Sequence, residues 1–150
     1  MNHEHSYRKL GVMAALSFLA MYALMYAMVN SFGNVFPNYN QFYMAGLMAS
    51  PMVIIELWLM RAMYPNKKLN GFIILASLVL LAGFWTAIRQ QTAVGDEQFL
   101  KSMIPHHAGA ILMCEKASLE DMEIKELCQN ILSGQQSEID FMKAKLNSIK

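Results

Sequence analysis

The chain has 150 residues, of which 12 are Lys or Arg and 11 are Asp or Glu, so its formal net charge is +1. Charged residues make up 15% of the chain, against about 25% in an ordinary soluble domain, and apolar residues make up 55%. This composition argues against a soluble globule and excludes strong electrostatic attraction to nucleic acid. Two cysteines are too few for a disulfide-framework protein, and 14 methionines are the strongest bias.

Three apolar stretches are each long enough to cross a bilayer, which takes about 20 apolar residues. They cover residues 10–29, 42–60 and 71–88. Most of the charged residues come after them. We therefore predict a membrane domain over residues 1–88 and a polar domain over residues 89–150.

Basic residues predict the orientation of the spans, because Lys and Arg are enriched on the cytoplasmic side. Arg8 and Lys9 precede the first span, and Arg61, Lys67 and Lys68 lie between the second and third. The connection between the first and second spans carries no Lys or Arg. We expect a cytoplasmic N-terminus and a C-terminal domain that faces the periplasm or the exterior.

The polar domain has the periodicity of two helices. Asp96 is a candidate N-cap for the first, which runs to about residue 118, and Asp121 for the second, over about 122–148. Pro105 is expected to bend or open the first helix near the carbonyl of Lys101, because proline lacks an N–H. The predicted fold class is all-α, with three transmembrane helices and an extracytoplasmic helical hairpin.

A tandem histidine pair marks the first hairpin helix, in the sequence Met103-Ile104-Pro105-His106-His107, with Met113 two turns later. At helical spacing, the two methionines and the two histidines share one broad face. Imidazole nitrogen and thioether sulfur together suit copper, and sulfur favours Cu(I) over Cu(II). The alternative is that both methionines are core residues and the histidines lie at a polar boundary.

The second hairpin helix directs further candidate ligands at this face. With the turn centred on Asp121, His107 lies opposite Gln135, and Glu138 and Met142 follow on the same side. A carboxylate and a third thioether then point toward the His/Met face. The alternatives are a solvated Glu138 and a Met142 that packs in the hairpin core.

Counting positions on either side of Asp121 also places Cys114 opposite Cys128. Outside the cytoplasm, two facing cysteines are expected to oxidise to a disulfide. The alternatives are a Cys114 thiolate that binds copper and a pair of inert buried thiols.

Methionines also recur at helical spacing in the first two spans, and none lies in the third. Thioethers suit a path for a soft monovalent ion, and an ionisable residue inside a membrane is a candidate functional residue. The alternatives are methionines that fill helix interfaces and a carboxylate close enough to the cytoplasmic end to reach water. The candidate path comprises Met21, Met25, Met28, Met44, Met48, Met52 and Glu56.

The amino terminus, Met1-Asn2-His3, is a further candidate copper chelate. A free terminal amine and a histidine at position three supply nitrogen ligands suited to Cu(II). Formylation or trimming of the terminus would abolish this chelate.

Catalytic patterns are absent from the sequence. There is no glycine-rich phosphate loop, and cysteine and histidine share one helix without a third orienting group. The few carboxylates lack the Glu-x-x-His pairs of a di-iron bundle. We predict no enzymatic activity.

The hairpin motifs resemble a known family. They are Asp96-x-x-Phe99-x-x-x-Met103-Ile104-Pro105-His106-His107-x-x-Ala110-Ile111-x-Met113 and Gln135-x-x-Glu138-Ile139-x-x-Met142. Both are similar to the bacterial domain-of-unknown-function 305 family, which is ferritin-like and includes periplasmic copper-binding proteins. The resemblance implies half of a ferritin-like four-helix bundle with a copper face. That face comprises Met103, His106, His107, Met113 and Met142, supported by Asp96, Gln135 and Glu138.

Only one hairpin is present, where many members of that family have two. Because one hairpin cannot bury its apolar face alone, we expect a homodimer or higher oligomer. The sequence thus predicts a copper-binding protein of the bacterial inner membrane, acting in copper sequestration, delivery or tolerance. Its expected partners are the lipid bilayer and a copper chaperone or exporter, and nucleic acid is not expected. The alternatives are an oligomeric copper transporter and a structural membrane protein without metal.

Overall fold

The fold is all-α, as predicted. A computed structural model describes the helices of residues 3–149 and the side chains of residues 5–149, so the candidate chelate of Met1, Asn2 and His3 lies outside what it describes. Helices account for 85% of the described residues, which form no strand. The α-helices are α1 (His3–Leu24), α2 (Tyr39–Leu59), α3 (Lys67–Gln90), α4 (Asp96–Lys116) and α5 (Met122–Ser148).

Three of the helical segments are long and apolar enough to cross a membrane. They are His5–Met28, which includes a 3-10 turn after α1, Tyr39–Leu59 and Lys67–Gln90. The predicted spans 10–29, 42–60 and 71–88 fall almost wholly within them. A protein with three membrane-spanning helices is therefore the architecture that length and composition support.

The described chain divides into two compact units. Unit 1 contains α1, α2 and α3, in the residues up to 24 and 40–92. Unit 2 contains the α4–α5 hairpin, in the residues from 93 onward, together with the segment 25–39 between the first two spans. The segment 25–39 thus accompanies the hairpin.

Close packing in unit 1 depends on small and aromatic residues. Gly46 of α2 is buried, and a Cβ at this position would overlap the ring of Phe84 on α3. A second cluster buries Leu10, Leu57 and Tyr64. These contacts hold the three helices together without any ion pair among the described residues of the spans.

Capping residues set the limits of the hairpin helices. The Asp121 side chain accepts from the backbone N–H groups of Glu123 and Ile124, so it caps α5 as predicted. The N-cap of α4 is Gly95 rather than the predicted Asp96, which occupies the first turn instead. Its carboxylate is favourable there, because the N-terminal end of a helix carries partial positive charge.

Pro105 lies inside α4 without ending the helix. The carbonyl oxygen of Lys101 loses its usual backbone donor at this point. The side-chain amide of Asn38 replaces that donor, with its nitrogen 3.4 Å from the oxygen. Asn38 is only 4% exposed, so segment 25–39 supplies a buried polar contact that α4 requires.

The core of unit 2 lies between α4 and α5. Val29 and Phe36, from the segment 25–39, pack against it. Gly109 of α4 faces Met28, whose carbonyl oxygen lies 3.6 Å from where a Cβ would stand. The buried core residues are Leu100, Ile104, Ala108, Ile111, Ile139, Met142 and Leu146.

Candidate metal site on the hairpin

The His107 imidazole is the best-oriented of the candidate ligands. It is 7% exposed, and its Nδ1 lies 2.9 Å from the carbonyl oxygen of Met103, one turn earlier in α4. Its Nε2 lies 2.6 Å from Oε2 of Glu138 on α5. Both ring nitrogens therefore have partners, and the ring is fixed between the two helices.

The positions of the protons on His107 and Glu138 follow from which of their partners can donate a hydrogen bond. A carbonyl oxygen has no proton to donate, so Nδ1 of His107 carries the proton in its bond to Met103. The close approach of Nε2 and the Glu138 carboxyl then requires one proton between them, carried by either atom. A ligating histidine usually donates its other ring N–H to a carbonyl or carboxylate. His107 has this arrangement, with Nε2 as the available ligand atom once that proton leaves.

His106 and Met103 stand beside this pair. The His106 ring is exposed, and its centroid lies 6.0 Å from that of His107. The Met103 side chain is half-buried and packs against the hairpin core. His106 and Met103 thus lie within about one turn of His107 in α4, and Glu138 meets it from α5.

The other predicted ligands lie farther away or are buried. Met142 is 6% exposed and belongs to the core cluster, as the packing alternative anticipated. Met113 is 53% exposed and lies nearly two turns beyond His107. Asp96 precedes His107 by eleven positions, a rise of about 16 Å along a helix, so the two cannot bind one ion within α4. Gln135 is half-buried, one turn before Glu138.

Among the side chains that the structure describes, those of residues 5–149, no group of three or more His, Cys, Asp or Glu is arranged to hold a metal ion. The pair of His107 and Glu138 comes closest. Any site centred on it needs sulfur from Met103, nitrogen from a moved His106, or ligands from another molecule.

The contact between α4 and α5 differs in register from the sequence expectation. His107 was expected opposite Gln135, but its ring meets Glu138. Helical side chains lean toward the N-terminal end of their own helix. In an antiparallel hairpin, His107 therefore reaches toward the level of Ile104, and the residue opposite that level is Glu138.

The structure joins Cys114 and Cys128 in a disulfide. Their Cα atoms are 5.4 Å apart, and the bond links α4 to α5 near the turn. No free cysteine is found in the described chain, so in this state Cys114 has no thiolate to offer a metal.

The residues of the candidate path differ in exposure and are divided between the two units. Met44 and Met48 of α2 are exposed, and Met21 and Met52 are half-buried. Met25 and Met28 belong to the 3-10 turn in unit 2. Glu56 is half-buried, and Tyr64 donates to its carboxylate at 3.3 Å.

Sequence reasoning missed the role of segment 25–39. Asn38 satisfies the carbonyl freed by Pro105, and the Tyr39 backbone N–H donates to Gln98 at 3.1 Å. The signal was present, because a proline inside a buried helix requires a donor from elsewhere. Periodicity alone does not indicate which loop supplies it.

Comparison with known proteins gives a family but no function. The family model described as Domain of unknown function (DUF305) matches residues 85–146, beginning within α3. Uncharacterized protein L153 of Acanthamoeba polyphaga mimivirus is 33% identical over 142 residues, which cover 93% of this chain and 91% of L153. That similarity spans the membrane helices as well as the hairpin. No solved structure matches the chain significantly. The chain therefore belongs to one family with L153, and its residues 85–146 are a DUF305 domain.

Proposed function

We propose that this protein is a membrane-anchored copper-binding protein that holds Cu(I) on the α4–α5 hairpin. One observation carries the proposal: the buried His107 ring is oriented by the Met103 carbonyl and presents Nε2 to Glu138. Once the proton between them leaves, Nε2 offers a lone pair beside a carboxylate oxygen. The thioether of Met103 adds the soft ligand that favours Cu(I) over harder cations.

Binding would be a ligand exchange without a catalytic step. Nε2 of His107 and the Glu138 carboxylate would hold the ion after giving up the proton between them, so one proton would leave for each ion bound. The Nδ1 bond to Met103 remains and keeps the ring in position. His106 is exposed and close enough to move onto the ion.

A second copy of the hairpin would complete the site. Phe99, His106 and Met113 follow one another at intervals of seven and so share an exposed stripe on α4. On α5, Leu127 and Phe141 lie to either side of Glu138 along the helix, and Phe141 is 69% exposed. Exposed apolar residues beside the candidate ligands favour a homodimer whose second hairpin covers them.

The basic residues and the candidate site together suggest where the protein works. A cytoplasmic N-terminus is favoured by Arg8, Lys9 and the basic residues of the 61–68 connection. With three spans in a bacterial inner membrane, the hairpin would then lie on the periplasmic side. A reversible Cu(I) site there suits sequestration, delivery or tolerance, with a copper chaperone or exporter as exchange partner. A disulfide between Cys114 and Cys128 accords with that oxidising side.

A copper-conducting oligomer is the second candidate, supported by the methionines of α2. Met44 and Met48 expose their side chains in the single chain. A path built from them therefore requires several copies facing one another. Copper uptake into proteoliposomes, with Met44, Met48 and Met52 changed to Leu, separates conduction from static binding.

Metal analysis of the purified full chain tests the proposal directly. Protein from copper-supplemented cells, kept in mild detergent without a thiol reductant so that the disulfide stays intact, is expected to carry copper in a fixed ratio to protein. His107→Ala should lose it, and His5→Ala, on α1, should keep it as a matched control. A protein without copper, or equal copper in both variants, contradicts the proposal.

A further inference from the structure

A groove with a charged end and an apolar floor runs along α1 in unit 1. Its volume is about 470 Å³. Three basic side chains stand at one end, and three apolar ones continue along the helix. The basic residues are His5, Arg8 and Lys9, the apolar ones are Val12, Met13 and Leu16, and Ser17 also lines the groove.

Helical spacing orders these residues along the groove. Arg8, Val12 and Leu16 lie on successive turns of one row, and Lys9 and Met13 form the adjacent row. From Arg8 to Leu16 the helix rises about 12 Å. The lining of the groove therefore changes from cationic to apolar in the direction that runs from the membrane surface into the hydrocarbon. Val12 and Leu16 remain exposed, so nothing described in the chain covers the floor.

The basic end of the groove lies at the same end of unit 1 as other cations. The backbone N–H of Asn66 donates to the Tyr7 hydroxyl at 3.1 Å, and that hydroxyl donates to Oδ1 of Asn70 at 2.8 Å. These bonds tie the start of α1 to the 61–68 connection, which carries Arg61, Lys67 and Lys68. This end of the unit is positively charged and attracts anions at a membrane surface.

We propose that the α1 groove binds one anionic phospholipid. The phosphate lies against Arg8 and Lys9, and an acyl chain follows Val12 and Leu16. Charge complementarity selects an anionic lipid, because a zwitterionic headgroup brings its own cation to the basic end. Lysine and arginine stems can also lie along the apolar floor while their charges stay at the interface. This site is independent of the copper proposal.

Native mass spectrometry of the full chain in detergent tests the lipid site. Phosphatidylglycerol and phosphatidylcholine with identical acyl chains are added in equal amounts, and glycerol phosphate serves as a headgroup without chains. We expect the chain to retain phosphatidylglycerol at least about fivefold over phosphatidylcholine, since each surface cation contributes about that factor. Equal retention of the two lipids, or equal binding of glycerol phosphate, overturns the proposal.

Two matched double variants locate the site. Arg8→Gln with Lys9→Gln removes the basic end of the groove, and Lys67→Gln with Lys68→Gln removes the same charge outside it. All four side chains are exposed, so circular dichroism should show unchanged helicity. The first pair should lower phosphatidylglycerol retention at least about tenfold, and the second by less than about threefold. If both double variants lose phosphatidylglycerol equally, the lipid is held only by the general surface charge, and the proposal is overturned.

Discussion

Nε2 of His107 lies 2.6 Å from Oε2 of Glu138, across the interface between α4 and α5. The imidazole is buried, whereas the carboxylate is 60% exposed at its side chain. The pair therefore opens onto the surface of the hairpin, where an ion can reach it. The copper proposal requires that the neighbouring Met103 and His106 of α4 supply the remaining ligands.

Methionines 103 and 142 should separate ligation from packing. Met103→Leu is expected to lower Cu(I) affinity by at least about tenfold, within the range for groups at and around metal sites. Met142→Leu keeps the volume of a buried core residue, so it should cost less than about 1.5 kcal/mol of stability and leave the affinity unchanged. Competition with a chromophoric Cu(I) chelator measures both variants. A larger affinity loss in Met142→Leu than in Met103→Leu would show that Met142 is the ligand and Met103 the packing residue.

The disulfide should stabilise the hairpin. Cys114 and Cys128 are separated by 14 positions, and closing a loop of this size contributes about 3 kcal/mol on the chain-entropy model. Cys114→Ser with Cys128→Ser should lower the thermal midpoint of the hairpin, followed by circular dichroism. Intact-mass measurement after alkylation without reductant should show no added label. Two alkylated thiols in the untreated protein would contradict the bond.

Asn38 should stabilise α4 at Pro105. Asn38→Leu leaves the part-buried carbonyl of Lys101 without this donor, which is expected to cost about 1–3 kcal/mol. Asn40→Leu alters an exposed side-chain pair with Gln91 in unit 1 and serves as the control. Hydrogen exchange of α4 amides measures local opening in each. Unchanged exchange around residues 101–105 in Asn38→Leu would show that the contact contributes nothing.

Tyr64 should titrate late in alkali. Burial raises the pKa of Tyr64 above its ordinary 10.0, and the neighbouring Glu56 carboxylate raises it further. The folded state therefore favours the neutral phenol over the phenolate. The Tyr64 ionisation should leave the free energy of unfolding unchanged below pH 10. Above pH 10 it should lower that free energy, because the unfolded chain ionises more readily. Absorbance titration, with Tyr64→Phe to assign the signal, measures this pKa. Glu56→Gln should lower it without removing the whole shift, and no late-titrating tyrosine would refute the expectation.

Patterns of neighbouring residues in the sequence predicted the all-α fold class and the helical hairpin. Apolar length identified the spans, and the cap at Asp121 located the turn. From that turn, position counting placed Cys114 opposite Cys128, which the structure joins. These predictions succeeded because each depends on periodicity or on neighbouring residues.

The details of the candidate site could not be read in the same way. The direction in which side chains lean changed the partner of His107 from Gln135 to Glu138. The pairing of Asn38 with Lys101 depends on a fold-back over 63 positions, which no helical period encodes. Whether Met142 binds metal or packs depended on core contacts that its helical face alone does not determine.

The Cu(I) dissociation constant of His107→Ala, compared with that of His106→Ala, tests the central claim most directly. Both variants remove one imidazole from the same turn, but only His107 is buried and oriented by Met103. We predict a loss of at least about a hundredfold for His107→Ala and a smaller loss for His106→Ala, with helicity retained in both. An unchanged dissociation constant in His107→Ala would contradict copper binding at this site.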